Sequence, residues 1–210
     1  MTYQLHRITV LVVEDNQPML DIAKSLLLAF GVGHVIGAAD GKAGFRQFCT
    51  HNPDIVVADW MMKPMDGITF TRLIRNDPSS PNPYVPVILM TGFSERRRVL
   101  QARDAGVTEF LVKPFNARDL YKRIAQVIER PRQFVRSEDF FGPDRRRLRA
   151  QEFAGPFRRN GDVIARAETL PHLQRRQNDA HETLRRIREE RGLASGDKFD
   201  LNNPNDIDMI

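Results

Sequence analysis

The sequence predicts an α/β fold, a (βα)5 doubly wound parallel five-stranded sheet followed by an extended Arg-rich segment and one C-terminal helix. Three observations carry the first part. Short apolar runs rich in β-branched residues recur through residue 130, and stretches with apolar side chains at helical spacing separate them. Those runs are apolar on both faces, which suits strands covered on two sides and not strands with one wet face.

The elements follow in order. Residues 8–13, ITVLVV, read as a buried strand, and residues 18–30 as a helix with Met19, Ile22, Ala23, Leu26, Leu27 and Phe30 along one stripe. HVIGA (34–38) is a short strand, and Asp40 is placed to cap a helix over 41–50. DIVVAD (54–59) is a strand, and GITFTRLIRN (67–76) a helix ended by the breaker-rich DPSSPNPYVP. PVILMT (86–91) is a strand, with Ser94 capping a helix to about Ala105. EFLVK (109–113) is the last strand, and residues 117–129 the last helix, with Leu120, Ile124, Val127 and Ile128 inward.

Composition narrows the classes. The 210 residues allow one ordinary domain and a remainder, and 41% hydrophobic content is enough for a packed core. The lone cysteine, Cys49, excludes an intramolecular disulfide and a cysteine-rich zinc site. Without a signal-type leader or an apolar run of membrane-spanning length, a cytoplasmic protein with no membrane insertion is expected. The net charge of +5 is unevenly spread: residues 131–178 carry 11 arginines against six carboxylates, whereas residues 179–210 carry five cations against eight.

In parallel sheets of this kind, sites form at the carboxyl ends of the strands. The ends here hold Glu14 and Asp15, Asp59, Thr91, and Lys113. One acid after a strand is usually a cap, and one lysine a solvated charge. Three carboxylates, a hydroxyl and an ammonium at one edge form a site for chemistry. Clustered hard oxygens beside a phosphate suit Mg2+. A lysine and a hydroxyl suit phosphoryl oxygens, and a carboxylate attacking phosphorus gives an acyl phosphate.

Residues 7 to about 129 resemble the receiver domain of two-component response regulators of the chemotaxis-regulator type, a flavodoxin-like fold. VLVVEDN, VVADWMMKPMDG, ILMTG and FLVKPF carry the resemblance together. It implies that Asp59 is the phosphoacceptor from a histidine kinase or phosphotransfer protein. It implies that Glu14, Asp15, Asp59 and the backbone carbonyl of Met61 hold Mg2+, that Thr91 and Lys113 bind the phosphoryl oxygens, and that the Lys113–Pro114 bond is cis. Phe110 matches the switch aromatic, which moves into space Thr91 leaves once Asp59 gains about −1.5 to −2 charges. Such a protein is not an enzyme, beyond catalysing its own Mg2+-dependent phosphorylation and dephosphorylation. The sequence departs from the pattern in four places: Glu14 is one methylene longer than the usual Asp, Phe110 lacks a tyrosine hydroxyl, Met61 cannot reach a phosphate with a polar group, and Pro64 comes one position late.

The βα pattern stops at Arg130, so the receiver is assigned to 1–130. Residues 131–168 form an arginine-rich segment with too few aliphatic side chains to offset chain entropy by themselves. An amphipathic helix is expected over 169–192 and an acidic disordered tail over 193–210. The segment contains a repeat, F-x-G-P-x-R-R, once from Phe140 to Arg146 and again from Phe153 to Arg159. Gly-Pro turns the chain, and arginine forks bind phosphate and the guanine edge. Phenyl rings and guanidinium planes stack on bases. Arg145, Arg146, Arg147, Phe153, Arg158 and Arg159 therefore suit an anionic ligand with two guanine halves, such as cyclic di-GMP. The segment also resembles the extension of chemotaxis-regulator-like cyclic di-GMP effectors, whose output is at the flagellar motor, although Phe157 stands where those carry an acid.

The reading is a response regulator that signals by protein–protein contact, with cyclic di-GMP as a ligand of its extension. The alternatives are a phosphate sink or relay, or an arginine tail that binds nucleic acid or an acidic partner. No helix-turn-helix pattern follows the receiver, so DNA binding by a conventional output domain is not expected.

Overall fold

A computed structural model describes residues 5–92, 96–137 and 140–144 of the chain. Strands β1 (Thr9–Val13), β2 (His34–Ala38), β3 (Ile55–Asp59), β4 (Val87–Thr91) and β5 (Glu109–Val112) alternate with helices α1 (Gln17–Ala29), α2 (Gly41–His51), α3 (Gly67–Asn76), α4 (Arg96–Asp104) and α5 (Ala117–Glu129). The strands form one parallel sheet in the order β2-β1-β3-β4-β5. This is the flavodoxin-like receiver fold that the sequence predicts.

Local chemistry places the helices. Asn16, Asp40, Asp66 and Asn116 each accept a bond from the backbone N–H three residues on, at 2.7–3.0 Å, which satisfies an orphan donor of the first turn. In α5 the Asp119 carboxylate also accepts from the Asn116 N–H, closing a capping box. Ser94, expected to cap α4, lies outside the described residues.

The central strands are sealed from water. Val10–Val13, Val56–Ala58 and Val87–Met90 have no exposed surface, as expected for strands covered by helices on both faces. The α1 stripe differs from expectation. Leu20, Ala23 and Leu27 are buried, whereas Ile22 is 52% exposed. The apolar residues of α1 span a wide arc, and the packed face runs through Leu20, Ala23 and Leu27, which turns Ile22 to solvent. In α5, Leu120, Ile124 and Val127 are buried, and Ile128 lies at the edge of the face.

Two glycines stand where a side chain or an ordinary backbone conformation would not fit. A Cβ at Gly67 would lie 2.1 Å from the Asp59 carbonyl oxygen, so only glycine lets α3 begin against the end of β3. Gly106, with φ of 93°, makes the left-handed turn between α4 and β5.

After α5 the chain does not remain extended. Strands β6 (Phe134–Ser137) and β7 (Phe140–Pro143) pair as an antiparallel hairpin, and β7 is the F-x-G-P of the first repeat. The segment has too little apolar surface for a core of its own, but it adds its aromatics to the receiver. Phe134 and Phe141 are buried and meet Tyr84, each at 5.1 Å between ring centroids. Arg145, Arg146, Arg147, Phe153, Arg158 and Arg159, and the expected helix and tail, lie outside the described residues.

Candidate functional site

The strand order brings the carboxyl ends of β1 and β3 side by side, at the point where the connections reverse direction across the sheet. Glu14 follows β1 and Asp59 ends β3, and both are buried, while the neighbouring Asp15 is exposed. One oxygen from each of Glu14, Asp15 and Asp59 lies within 4.8 Å of the others. These residues come from two elements 44 positions apart or more, and the parallel register of β1 with β3 aligns them.

Lys113 reaches this cluster from the end of β5. Its Nζ lies 2.7 Å from Glu14 Oε2 and 2.8 Å from Asp59 Oδ1. The Lys113 backbone N–H donates to the Thr91 carbonyl at 2.8 Å, which ties the ends of β4 and β5 together and keeps the buried Thr91 at the same edge. The Lys113–Pro114 bond is cis, as expected, and so is Lys63–Pro64 in the loop after β3. That loop turns so that the Met61 N–H donates to Asp59 Oδ2 at 3.2 Å. This amide was not legible in the sequence, which pointed only to the Met61 carbonyl. The Met61 side chain is exposed, and Phe110 is half-buried against the core.

The electrostatics follow from burial. Withdrawal from water raises the Glu14 pKa, and nearby Asp59 raises it further, outweighing its bonds to Lys113 and to the Asn16 N–H. Burial also works to lower the Lys113 pKa, but the bonds and charges of Asp59 and Glu14 together reverse that and raise it. Lys113 therefore stays charged, and the three carboxylates keep a formal excess of two negative charges over it. A set of hard oxygens with that excess, two buried and one open to water, fits a divalent cation that retains water ligands.

Comparison with known proteins agrees with this arrangement. The family model described as the response regulator receiver domain matches residues 10–125. The chemotaxis protein CheY of Pseudomonas aeruginosa is 34% identical over 121 residues, covering 58% of this chain and 96% of its own. The chemotaxis protein CheY-3 of Vibrio cholerae is 33% identical over the same length, covering 92% of its own. Among solved structures, the chemotaxis protein CheY4 of Vibrio cholerae at low pH superimposes with a TM-score of 0.54 and 26% identity, over 57% of this chain and 98% of that one. The receiver domain of the Francisella response regulator 1452 gives 0.53 and 27%, over 59% and 98%.

The chain therefore belongs to the response regulator receiver family of two-component signalling, and its receiver is of the CheY type. Receiver domains are signalling modules that interact with histidine kinases or phosphotransfer proteins, and the Glu14, Asp15 and Asp59 cluster is the acidic pocket in which they bind Mg2+. Among the described residues no helix is long and apolar enough to cross a membrane.

Proposed function

We propose that Asp59 is the phosphoacceptor of this receiver and that the phosphoryl group comes from a histidine kinase or phosphotransfer protein. One Asp59 oxygen attacks phosphorus, the bond to the donor nitrogen breaks, and the donor imidazole leaves with that electron pair. Bound Mg2+ would supply charge neutralisation for the phosphoryl oxygens, held by Glu14, Asp15, Asp59 and the Met61 carbonyl. Lys113 transfers its contact from the Asp59 carboxylate to a phosphoryl oxygen, and the Thr91 hydroxyl takes another. Transfer of this kind is mainly positioning and electrostatics, and the protein catalyses only its own phosphorylation and dephosphorylation. Phe110 then follows Thr91 inward and alters the surface of α4, β5 and α5, through which an output partner is recognised.

The observation that supports this reading most is the Lys113 ammonium bridging Asp59 and Glu14 beside Asp15. Trp60, the only tryptophan, adjoins Asp59 and is buried, so it reports on the site. Beryllium fluoride with Mg2+ should change its emission in the wild type and leave Asp59→Asn unchanged. An equal response in both proteins would rule out Asp59.

The same proposal gives the arginine-rich segment, 131–168, a ligand: cyclic di-GMP, recognised by Arg145, Arg146, Arg147, Phe153, Arg158 and Arg159. The doubled F-x-G-P-x-R-R supports it, since each copy offers guanidinium forks beside a phenyl ring. The output would then be contact with a protein partner such as a flagellar motor component, in the cytoplasm. Calorimetric titration with cyclic di-GMP, GTP and cyclic di-AMP at two salt concentrations tests it. Binding confined to cyclic di-GMP is expected, whereas equal, salt-sensitive binding of all three would return the segment to a generic basic surface.

A further inference from the structure

Strand β5 stands at the edge of the sheet, and among the described residues it pairs with β4 alone, with Phe110 opposite Leu89 and Val112 opposite Thr91. A strand with one ladder depends on what else holds its ends. At the carboxyl end, Lys113 is bound to Asp59 and Glu14. The amino end, at the pole opposite Asp59, is held by α5 and by the hairpin that follows it.

Glu109, the first residue of β5, is the joint. Its buried carboxylate receives the Arg132 guanidinium at Oε1, at 2.8 Å from Nη2 and 3.2 Å from Nε. Arg123 of α5 lies 3.8 Å from its Oε2. Arg132 leads into β6, and the Asp144 N–H donates to the Gln133 carbonyl across the base of the hairpin. The hairpin is seated in turn by Phe134 and Phe141 on the Tyr84 ring, and the Arg75 guanidinium lies 5.1 Å over Phe134.

The rest of the α4–β5 turn is held as firmly. Arg75 Nε donates to the Gly106 carbonyl at 3.0 Å. A Cβ on Gly142 would lie 2.9 Å from Gly106 Cα, so β7 is pressed against that turn backbone to backbone. The Val107 N–H donates to the Ala102 carbonyl, the Thr108 N–H donates to the Val87 carbonyl, and the Thr108 hydroxyl accepts from the Val87 N–H. The turn joins the end of α4 to the strand that carries Phe110 and leads into Lys113, two residues whose contacts change when Asp59 gains a phosphoryl group.

We propose that Glu109 is a positioning residue of the phosphorylation switch. By tying the start of β5 to α5 and to the β6–β7 hairpin, it makes the α4–β5 turn a fixed pivot and favours the conformation in which Phe110 is half-buried. Loosening the tie favours the phosphorylated conformation. The inference deepens the phosphoacceptor reading and rests on it, since a switch at Asp59 is what the tie would oppose. Coupling between two sites is reciprocal, so occupation of Asp59 must loosen the hairpin by the same factor.

The full-length chain tests this with beryllium fluoride and Mg2+, followed by Trp60 emission. Arg132→Gln and Glu109→Gln should each bind beryllium fluoride more tightly than the wild type, by about fivefold. Arg136→Gln, which removes an exposed cation 4.7 Å over the Phe141 ring without touching Glu109, should keep the wild-type midpoint. In the wild type, the β6 and β7 amides should exchange hydrogen about fivefold faster with beryllium fluoride than without it. A merely structural tie would lower Tm in Arg132→Gln and leave the beryllium fluoride midpoint unchanged, which would overturn the proposal. Weaker binding by Arg132→Gln, or hairpin exchange indifferent to beryllium fluoride, would overturn it too. A wild type that gives no Trp60 response at all would remove the phosphoacceptor reading and this inference with it, whereas a normal wild-type response with unmoved midpoints removes the inference alone.

Discussion

Lys113 reaches past β4 from the end of β5 to place its ammonium 2.8 Å from Asp59, the last residue of β3. The same Nζ is bound to Glu14, so one cation holds two buried carboxylates that would otherwise repel. The site is therefore charge-balanced in part by a side chain that is itself 21% exposed and free to exchange partners when a phosphoryl group arrives.

Removing that cation has a calculable direction. In Lys113→Met without Mg2+, Glu14, Asp15 and Asp59 face one another uncompensated. Breaking a buried pair costs about 3–5 kcal/mol, and the partial exposure of Lys113 reduces this to about 2 kcal/mol. Urea unfolding should show that loss. Mg2+ should bind Lys113→Met more tightly than the wild type, because a competing positive charge is gone, even though phosphoryl uptake falls.

Magnesium should stabilise the folded chain by mass action. At ten times its Kd the gain is about 1.4 kcal/mol, visible as a rise in Tm that EDTA reverses. Asp15→Asn, which removes the exposed member of the carboxylate cluster, should lose most of that rise while unfolding normally in EDTA. An undiminished rise in Asp15→Asn would remove this residue from the metal site.

Gly67→Ala should damage the site from outside it. Its Cβ would meet the Asp59 carbonyl at 2.1 Å, a backbone atom that cannot swing aside. Overpacking of this kind costs about 3 kcal/mol, and displacement of Asp59 should slow phosphoryl uptake at least tenfold. Stability and uptake close to wild type would show that α3 can withdraw freely.

Arg75 anchors the opposite pole. Burial pushes its pKa down, and three backbone carbonyls receive its donors. Arg75→Met leaves those carbonyls without the guanidinium and Phe134 without its cation, at a cost of about 3 kcal/mol. The measurable signature is lower urea stability together with faster exchange in β6 and β7.

Much of this was legible in the sequence because the signals are local. The run from Val10 to Val13 is apolar at every position, which suits a strand covered on both faces, and Asp40 stands where a cap belongs. Alternation of strand and helix then forces a parallel sheet, and that brings Glu14, Asp15, Asp59, Thr91 and Lys113 to one edge. The hairpin was not legible. Phe134 and Phe141 have neither strand alternation nor a helical stripe, and their burial depends on Tyr84 and Arg75, which lie some 50 to 70 residues earlier. The burial of Arg75 has no sequence signal either, because an arginine late in a helix usually points to solvent. Within α1 the apolar residues spread over more than one face, so the expected stripe took in Ile22 and left out Leu20, which the packing buries.

The central claim is that Asp59 carries the phosphoryl group, and intact-mass measurement of the full-length chain after incubation with phosphoramidate and Mg2+ tests it most directly. The wild type should gain one phosphoryl group that is lost in alkali, and Asp59→Asn should gain none. Equal phosphorylation of Asp59→Asn would contradict the account and move the acceptor to another residue.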